Sequence, residues 1–452
     1  MRNPLLVLAL PLLLLAPASA QTPPNLLLVV ADDLGIDNVG AYDFHPEAAP
    51  TPALDNLARQ GVLFSRAYAN PACSPTRATL LTGQYAWHTG VGTVLSPSGG
   101  PGLQTSVTTL PQVLAEVGYT SAAVGKWHLG DDPAHPLQMG FAHHRGTMNN
   151  IQAPFSYDHY PKATDGVYDI SNEYATTETV DDALEFIGTL PEPWFVYVAF
   201  NAVHEPYHAP PPELHTYDLP EDIAGNEAIY GRAMIQSLDT EFGRLLAGVD
   251  LEDTLVTFVS DNGPEPETVL PPLDPSHAKG THFDLGVHVP LIVAGAGSAS
   301  EARCDALVNT TDVFATLARA AGLPGLSGID SVSLRPYLAV PERPSIRRFV
   351  YTESFTPNFT PEEGWPHMEG FIRRHQAARS QRHKLIVKYY AYSPLVDPLD
   401  VRLYDLVADP LEEHNLMLHP LAPGVQKAFD VLMAELIRQQ PGPFPELLGT
   451  PY

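Results

Sequence analysis

The sequence has few positive charges, only two cysteines and one long hydrophobic run. Its 452 residues include 25 lysines and arginines against 52 aspartates and glutamates, a formal net charge of −27. A chain with this deficit lacks the cationic surface that binds nucleic-acid phosphates, which excludes a basic nucleic-acid-binding protein. The same deficit argues against a polybasic protein of the membrane surface.

The long hydrophobic run lies at the N-terminus. Arg2 precedes apolar residues 5–15, and Ala18-Ser19-Ala20 follows as a small-residue cleavage site. This pattern predicts a signal peptide over residues 1–20, so we expect the mature chain to be exported, to the periplasm or outside the cell. No later apolar run reaches the roughly 20 residues that cross a bilayer, so we expect no membrane span.

From residue 25 onward, strand-length apolar runs alternate with helical patterns. The runs cover residues 26–31, 120–124, 194–200, 255–260 and 289–294. Such alternation is typical of a parallel sheet covered by helices on both faces. We therefore predict an α/β fold with a large, mostly parallel sheet in an N-terminal catalytic domain over residues 21–344.

The pattern changes after the proline pair of Pro341-Glu342-Arg343-Pro344. Residues 349–353, 384–390 and 402–406 resemble strands without crossover helices, which favours an antiparallel sheet. Residues 425–438 have the spacing of a closing helix. We predict a smaller α+β domain over residues 345–452.

Polar side chains follow four of the predicted strands. They are Asp32 and Asp33, then Lys126 and His128, then His204, and finally Asp261 and Asn262. Each alone would most often be a helix cap, a turn residue or a structural histidine. Ligands of open parallel sheets bind beyond the carboxyl ends of the strands, so together they predict one shared site.

Three carboxylates at one sheet edge would repel each other unless a cation lay between them. Asp32, Asp33, Asp261 and Asn262 offer only oxygen ligands, which favour Ca²⁺ or Mg²⁺ over zinc. We expect Ca²⁺, because it tolerates an irregular cage. Adjacent strand residues face opposite sides, so both aspartates can reach one ion only if pleating has ended there.

Residues 73–83 begin like a helix N-terminus, with Ser74 as a potential cap and Pro75 in the first turn. The positive end of a helix attracts anions and lowers the pKa of a nearby thiol such as Cys73. Arg77 lies one turn further on the same face, which predicts an anion site. In an exported chain, composition alone also leaves a disulfide between Cys73 and Cys304 open.

The pattern Cys73-x-Pro75-Thr76-Arg77, followed by Leu81-Thr82-Gly83, resembles the signature of the type I, formylglycine-dependent sulfatases. These are arylsulfatase-like enzymes of the alkaline phosphatase superfamily. Further blocks resemble the family in the expected order, at residues 25–35, 125–130, 199–206, 260–263, 279–290 and 403–416. The resemblance implies the family's large mixed sheet and smaller C-terminal domain. It also implies conversion of Cys73 to 3-oxoalanine (Cα-formylglycine) by a formylglycine-generating or equivalent maturation enzyme, which disfavours the disulfide.

The resemblance also implies the residue roles. The metal, Ca²⁺ with Mg²⁺ or Mn²⁺ as alternatives, would be bound by Asp32, Asp33, Asp261, Asn262 and the modified Cys73. The residues surrounding the formylglycine and the sulfate would be Arg77, Lys126, His128, His204 and Lys279.

In the implied mechanism, a hydroxyl of hydrated formylglycine attacks sulfur with Asp261 as base, while Lys126 and Lys279 balance charge on the sulfate. His204, with or without Lys279, protonates the leaving alcohol. Arg77 orients the hydrate, and His128 removes the proton from the second hydroxyl to expel sulfate.

One departure from the family and two rival functions remain at this stage. Asp284-Leu285-Gly286-Val287-His288 stands where the family often has Glu-Gly-Gly-x-Arg. His88 lies in a segment where family members often have a basic or histidine residue, and we interpret it as a packing or supporting residue. The expected substrate is a sulfated small molecule or glycan. The rivals are a phosphonate monoester or phosphodiester hydrolase of the same superfamily, and a secreted sulfated-glycan-binding protein in which Cys73 is not converted.

Overall fold

The computed structural model describes residues 23–96, 100–361, 373–390 and 399–439. The predicted signal peptide over residues 1–20 lies outside the described residues. The strands are β1 (Asn25–Ala31), β2 (Gly61–Phe64), β3 (Ala67–Tyr68), β4 (Thr120–Gly125), β5 (His143–Gly146), β6 (Tyr160–Thr164), β7 (Val167–Ser171), β8 (Trp194–Ala199), β9 (Thr254–Ser260), β10 (His288–Val289), β11 (Leu291–Gly295), β12 (Ala302–Cys304), β13 (Val308–Asn309), β14 (Val350–Thr356), β15 (Arg373–Arg379), β16 (His383–Tyr390) and β17 (Leu399–Asp405). The helices are α1 (Pro52–Gln60), α2 (Cys73–Thr82), α3 (Ala86–Thr89), α4 (Leu110–Ala115), α5 (His135–Gln138), α6 (Ala175–Thr189), α7 (Glu227–Ala247), α8 (Asp284–Val287), α9 (Asp312–Ala320), α10 (Arg335–Ala339) and α11 (Pro423–Arg438).

Ten strands form one mixed sheet in the order β12-β2-β11-β9-β1-β8-β4-β5-β6-β7. Its centre, from β9 through β1, β8 and β4 to β5, is parallel. This confirms the predicted α/β class. The run predicted over residues 289–294 is split at Pro290, because proline cannot donate to a strand ladder. As a result, β10 joins β3 and β13 in a small sheet, and β11 pairs antiparallel with β9 and β2.

The central strand β1 is buried along its whole length. Its side chains alternate between two hydrophobic clusters: Leu26, Leu28 and Val30 enter one, and Leu27 and Val29 enter the other. Residues of α2, α4 and α9 complete the first cluster, and residues of α1, α6 and α7 complete the second. The sheet is therefore covered by helices on both faces, which explains why its strands are continuous apolar runs.

The C-terminal strands form a separate antiparallel sheet in the order β14-β15-β16-β17. Leu432 and Leu436 of α11 pack on one face of this sheet, and Phe283 packs on the other. The prediction omitted β15, because its polar sequence lacks an apolar alternation and only pairing with β14 and β16 makes it a strand. The domain boundary at residue 344 stays a prediction.

The described helices include none that combines the length and the apolar character needed to cross a membrane.

Candidate active site

The register of the central strands brings their carboxyl ends to one edge. Ala31 of β1 lies opposite Ser260 of β9, and Ala199 of β8 lies opposite Gly125 of β4. Gly125 has a positive φ of 86°, and a Cβ there would collide with the carbonyl oxygen of Ala199. The residues that follow these four strands, which carry the predicted site, therefore leave the sheet side by side.

Pleating does end after Asp32, as a shared ion requires. Asp33 has a left-handed φ of 62°, so its side chain turns to the same side as its neighbour. The Asp33 amide donates to Oδ1 of Asp261 at 3.3 Å, and Nδ2 of Asn262 donates to Oδ1 of Asp33 at 2.6 Å. All four predicted metal ligands from the sheet edge thus lie together in the buried interior.

Two oxygens of this group have unused acceptor capacity. Oδ1 of Asp32 and Oδ1 of Asn262 are buried and accept no hydrogen bond from any described residue. Buried acceptors without a donor are rare in folded proteins, so each such oxygen needs an explanation, such as an ion that it binds. In addition, Sγ of Cys73 and carboxylate oxygens of Asp32 and Asp261 lie within 4.8 Å of one another. The carboxylate and amide oxygens of this group fit a hard divalent cation, whereas the sulfur does not.

The helix α2 brings Cys73 and Arg77 to the same edge. It begins at Cys73 itself, and Ala72 precedes it as the N-terminal flanking residue. The expectation that Ser74 caps this helix is wrong: its hydroxyl accepts a hydrogen bond from the Leu95 amide instead. Arg77 lies one turn on, fully buried, as the spacing predicts.

Arg77 connects the helix to two strand ends. Its Nε donates to Oδ2 of Asp261 at 2.8 Å, and its Nη1 donates to the Lys126 carbonyl at 3.0 Å. A second guanidinium nitrogen lies 2.7 Å from the same Asp261 oxygen. Such a two-pronged contact holds the carboxylate in one orientation.

Cys73 lies beside His128, whose Nδ1 is 3.3 Å from the sulfur. Burial raises the pKa of the Cys73 thiol, aided by the negative charge of Asp32. The expected lowering by the helix terminus is therefore wrong, because the thiol has no access to water. Burial also holds the pKa of His128 well below its ordinary value, and the charges of Lys126 and Arg77 add to this effect. Both groups are neutral at neutral pH.

The pKa values of the two buried carboxyls that follow β1 and β9, Asp32 and Asp261, are shifted in opposite directions. Lys126 forms a fully buried ion pair with Asp32. Burial by itself raises the pKa of Asp32, but Lys126 and Arg77 outweigh it, so this pKa lies below its usual range. Burial and the neighbouring charge of Asp32 raise the pKa of Asp261 instead. Asp32 is thus a permanent anion, whereas Asp261 is able to hold a proton.

His204 and Lys279 are close to this group but are less completely buried than Asp32 and Asp261. Nδ1 of His204 is 2.8 Å from the Glu205 carbonyl oxygen, and its Nε2 is 3.1 Å from Nδ2 of Asn150. Lys279 Nζ lies 2.8 Å from Oδ1 of Asp33. Burial lowers the pKa of His204, while nearby carboxylates, Asp33 first, keep the pKa of Lys279 well above its ordinary value despite burial.

Sequence reasoning missed Glu265 and Asn150. Lys279 Nζ donates to Oε1 of Glu265 at 2.6 Å, and Glu265 groups with Asp33 and His204 as a second set of potential ligands. Glu265 follows Asp261 by four positions, so its place in the loop after β9 was an available signal. Asn150 had no such signal in the sequence, because its segment matches no motif.

The sequence that forms this site matches a family model. The model described as Sulfatase matches residues 24–323. The chain belongs to the sulfatase family. It is therefore a sulfatase, a sulfuric ester hydrolase of the alkaline phosphatase superfamily, as the sequence motifs predicted.

Curated relatives of this sulfatase cover most of its length. It is 29% identical to arylsulfatase A of Bos taurus over 95% of this chain and 90% of that protein. It is 32% identical to N-acetylgalactosamine-6-sulfatase of Homo sapiens over 71% of this chain and 67% of that protein.

Solved structures have the same fold. A structure of Ps i-CgsB in complex with k-i-k-neocarrahexaose matches with a TM-score of 0.75 at 24% identity, covering 92% of each chain. A structure of BT4656 in complex with its substrate D-glucosamine-2-N,6-O-disulfate matches with a TM-score of 0.71 at 20% identity, covering 92% of this chain and 97% of that chain.

The loop that departed from the sulfatase pattern contacts two sheets. Asp284 accepts a hydrogen bond from Lys384 of β16 at 2.7 Å, which attaches the loop to the C-terminal sheet. His288 stacks on Tyr68 of β3 with ring centroids 4.9 Å apart. His88 contacts Asp330 at 2.7 Å, as a supporting residue would. Cys73 and Cys304 are both free and buried.

Proposed function

We propose that this sulfatase cleaves sulfate esters of carbohydrates or aryl alcohols through a formylglycine made from Cys73, releasing sulfate and an alcohol. The observation that carries the proposal is the position of the cysteine. Its sulfur lies at the start of α2, beside His128 and within 4.8 Å of carboxylate oxygens of Asp32 and Asp261. A sulfate ester repels nucleophiles through its anionic oxygens, so catalysis needs an activated attacker surrounded by positive charge.

The ligands of a divalent ion would be Asp32, Asp33, Asp261 and Asn262, together with residue 73. The two buried oxygens without donors support this assignment. An all-oxygen set favours Ca²⁺, with Mg²⁺ and Mn²⁺ as alternatives. When bound, the ion would offset the carboxylate charges and place positive charge beside the sulfate.

Residue 73 is proposed as a precursor and not as a thiolate nucleophile. Its raised pKa leaves the thiol protonated, and a protonated thiol attacks poorly. A formylglycine-generating or equivalent maturation enzyme would replace it with an aldehyde, whose hydrate supplies the attacking hydroxyl.

Two buried groups would move protons at residue 73. Arg77 holds Oδ2 of Asp261 in one orientation, so this carboxylate would accept the proton of the attacking hydroxyl and return it. His128 is neutral, and its Nδ1 faces residue 73 directly. It would accept the second proton, which releases sulfate and restores the aldehyde.

His204 would protonate the leaving alcohol from its imidazolium form, because the neutral ring with its proton on Nδ1 has none on Nε2. The anionic sulfate ester would favour this form, although burial lowers the pKa of His204. Its Nδ1 donates to the Glu205 carbonyl, so Nε2 is the nitrogen available to the substrate, next to Asn150. Lys279 would stay charged, because its pKa is raised by Asp33 and Glu265. We therefore assign it to charge balance on the sulfate, together with Lys126.

Two observations favour a sulfated carbohydrate as substrate. One curated relative is named as a sulfatase of N-acetylgalactosamine 6-sulfate, and two solved structures with this fold hold sugars, one of them a sulfated glucosamine. The site itself requires only the sulfate group and its ester oxygen.

The decisive experiment produces the chain together with a maturation enzyme and measures the aldehyde at residue 73 by mass spectrometry. Sulfate release is then compared for 4-nitrophenyl sulfate and sugar sulfates, with phosphate diesters and phosphonate monoesters as rival substrates. Aldehyde-dependent sulfate release supports the proposal. Faster diester or phosphonate cleavage would favour the rival hydrolase, and an intact thiol with glycan binding but no turnover would favour the binding protein.

A further inference from the structure

A group of basic side chains lies on one face of the C-terminal sheet. We call Arg373, His375, Lys388 and Arg402 the basic cluster. In the antiparallel register, His375 of β15 lies opposite Lys388 of β16, and Arg402 of β17 lies opposite Ile386, two positions from Lys388. Residues paired in this way project from the same face of a sheet. Arg373 lies two positions from His375 on the same face, so the four side chains form a row from Arg373 through His375 and Lys388 to Arg402.

Positive charge in the basic cluster is only partly compensated. Within the described ranges, Asp400 is the carboxylate beside it, and Oδ2 of Asp400 accepts a hydrogen bond from Nε of Arg402 at 2.9 Å. The same ranges hold no ion pair of Arg373 or Lys388. Burial and the charge of Arg402 lower the pKa of Lys388, as expected for an uncompensated cation.

His375 adds an unused polar atom to the same place. Its side chain is only 6% exposed, and its Nε2 has no hydrogen-bond partner in the described part of the chain. Burial, together with Arg373 and Lys388, lowers its pKa to about 3, so the imidazole is neutral. A buried donor or acceptor left without a partner is destabilising unless a ligand or water occupies the position.

The basic cluster borders the loop that carries Lys279 into the active site. The Phe283 ring centroid lies 5.4 Å from Nζ of Lys388 and 5.6 Å from Cζ of Arg402. His282 attaches this loop to β14, because its Nδ1 lies 2.9 Å from the Thr352 hydroxyl. Phe283 lies four positions after Lys279, at most about 14 Å of extended chain.

We propose that the basic cluster is a second anion-binding site, which takes a sulfate or carboxylate group of the same glycan whose ester is cleaved next to residue 73. This inference rests on the proposed function, because it assumes ester cleavage at that residue. It makes the preferred substrate a glycan with several anionic groups. Such a glycan is repelled at long range by a chain of net charge −27, so it needs local cations close to the site.

The test compares Arg373→Gln and Lys388→Gln with Lys427→Gln, which removes an exposed charge from α11. Kinetics use 4-nitrophenyl sulfate, which has one anionic group, and tetrasaccharides derived from heparin, chondroitin sulfate and carrageenan. Calorimetry measures binding of the same tetrasaccharides, and of inorganic sulfate. For this measurement each variant also carries Cys73→Ala, so that it binds the tetrasaccharide without cleaving it. Melting temperatures show whether each variant is folded.

We expect the two cluster variants to bind at least one tetrasaccharide about tenfold more weakly than Lys427→Gln does, the loss expected for one charge-assisted hydrogen bond. KM for a cleaved tetrasaccharide should rise by the same factor with kcat unchanged, because the contact is remote from the reacting atoms. Turnover of 4-nitrophenyl sulfate should not change.

Three results would overturn the inference. The first is that the cluster variants and the control variant bind and cleave all three tetrasaccharides equally well, or that none of them binds any tetrasaccharide. The second is an equal loss with 4-nitrophenyl sulfate. The third is an effect confined to inorganic sulfate, which indicates a site for free anions. If the unsubstituted chain cleaves no sulfate ester, the proposed function fails, and calorimetry alone still decides whether the basic cluster binds glycan anions.

Discussion

The sulfur of Cys73 lies 3.3 Å from Nδ1 of His128, although 55 positions separate the two residues in the chain. Both groups are buried and neutral, so this contact is not the thiolate–imidazolium pair of a cysteine nucleophile. It instead places a proton acceptor next to whatever group residue 73 carries after conversion.

Replacing Cys73 should separate attack from sulfate release. A serine at this position has one hydroxyl, so Cys73→Ser should be sulfated once and then stall, because no second hydroxyl is available to expel the sulfate. Cys73→Ala should be inert. The measurement is a burst of 4-nitrophenol no larger than the enzyme concentration, with mass spectrometry of the sulfated peptide. Sustained turnover by the serine variant would show that residue 73 has a different role.

Removing divalent ions should abolish sulfate release and lower the melting temperature. Asp33 and the other carboxylates would lose the counter-charge that the ion provides in the folded state. Returning Ca²⁺, Mg²⁺ or Mn²⁺ separately to the stripped protein identifies the preferred ion by the recovery of both activity and melting temperature. Activity and stability that are indifferent to chelation would contradict the ligand assignment.

Glu265→Gln should impair cleavage of sulfate esters whatever their leaving group. Glu265 accepts a hydrogen bond from Lys279 at 2.6 Å, so the substitution weakens the contact that positions this ammonium. We expect kcat/KM for a sugar sulfate to fall about tenfold, the loss of one charge-assisted hydrogen bond. Activity on 4-nitrophenyl sulfate should fall by a similar factor, because Lys279 is assigned to the sulfate group, which both substrates share.

The matched control for this prediction is Glu267→Gln, an exposed carboxyl in the same loop. It removes the same charge without contacting Lys279. Equal effects of the two substitutions would indicate that only the local charge matters.

Glu353→Gln should change how stability depends on pH. Burial raises the pKa of Glu353 to about 7, so the folded state binds a proton that the unfolded state releases near pH 4.5. Wild-type stability therefore falls as pH rises from about 4.5 to 7, by on the order of 3 kcal/mol from this group. The variant lacks this loss, so its melting temperature relative to wild type should increase between pH 5 and pH 8. A constant difference over that range would contradict a raised pKa.

Several features of the site could be read from the sequence because local rules determine them. Each strand that carries a site residue is a buried apolar run, and the site residue is among the first polar side chains after that run. Asp32 and Asp261 follow β1 and β9 in this way. The prediction that pleating ends between Asp32 and Asp33 also followed from local geometry.

Other features could not be predicted, because they depend on residues distant in the chain. Ser74 caps no helix, since its hydroxyl is used by the Leu95 amide. The thiol pKa of Cys73 depends on burial by surrounding elements and not on its own helix. The strand β15 exists because β14 and β16 pair with it.

By itself, the order of apolar runs and polar strand ends determined the class of fold and the residues that could form one site, because hydrophobic periodicity and strand alternation are properties of neighbours in the chain. Only the tertiary structure decided their electrostatics. The pairing of Lys126 with Asp32, the contact of Glu265 with Lys279 and the basic cluster all join segments far apart in sequence. Charge and burial act through space, so their effects become defined only when the chain is folded.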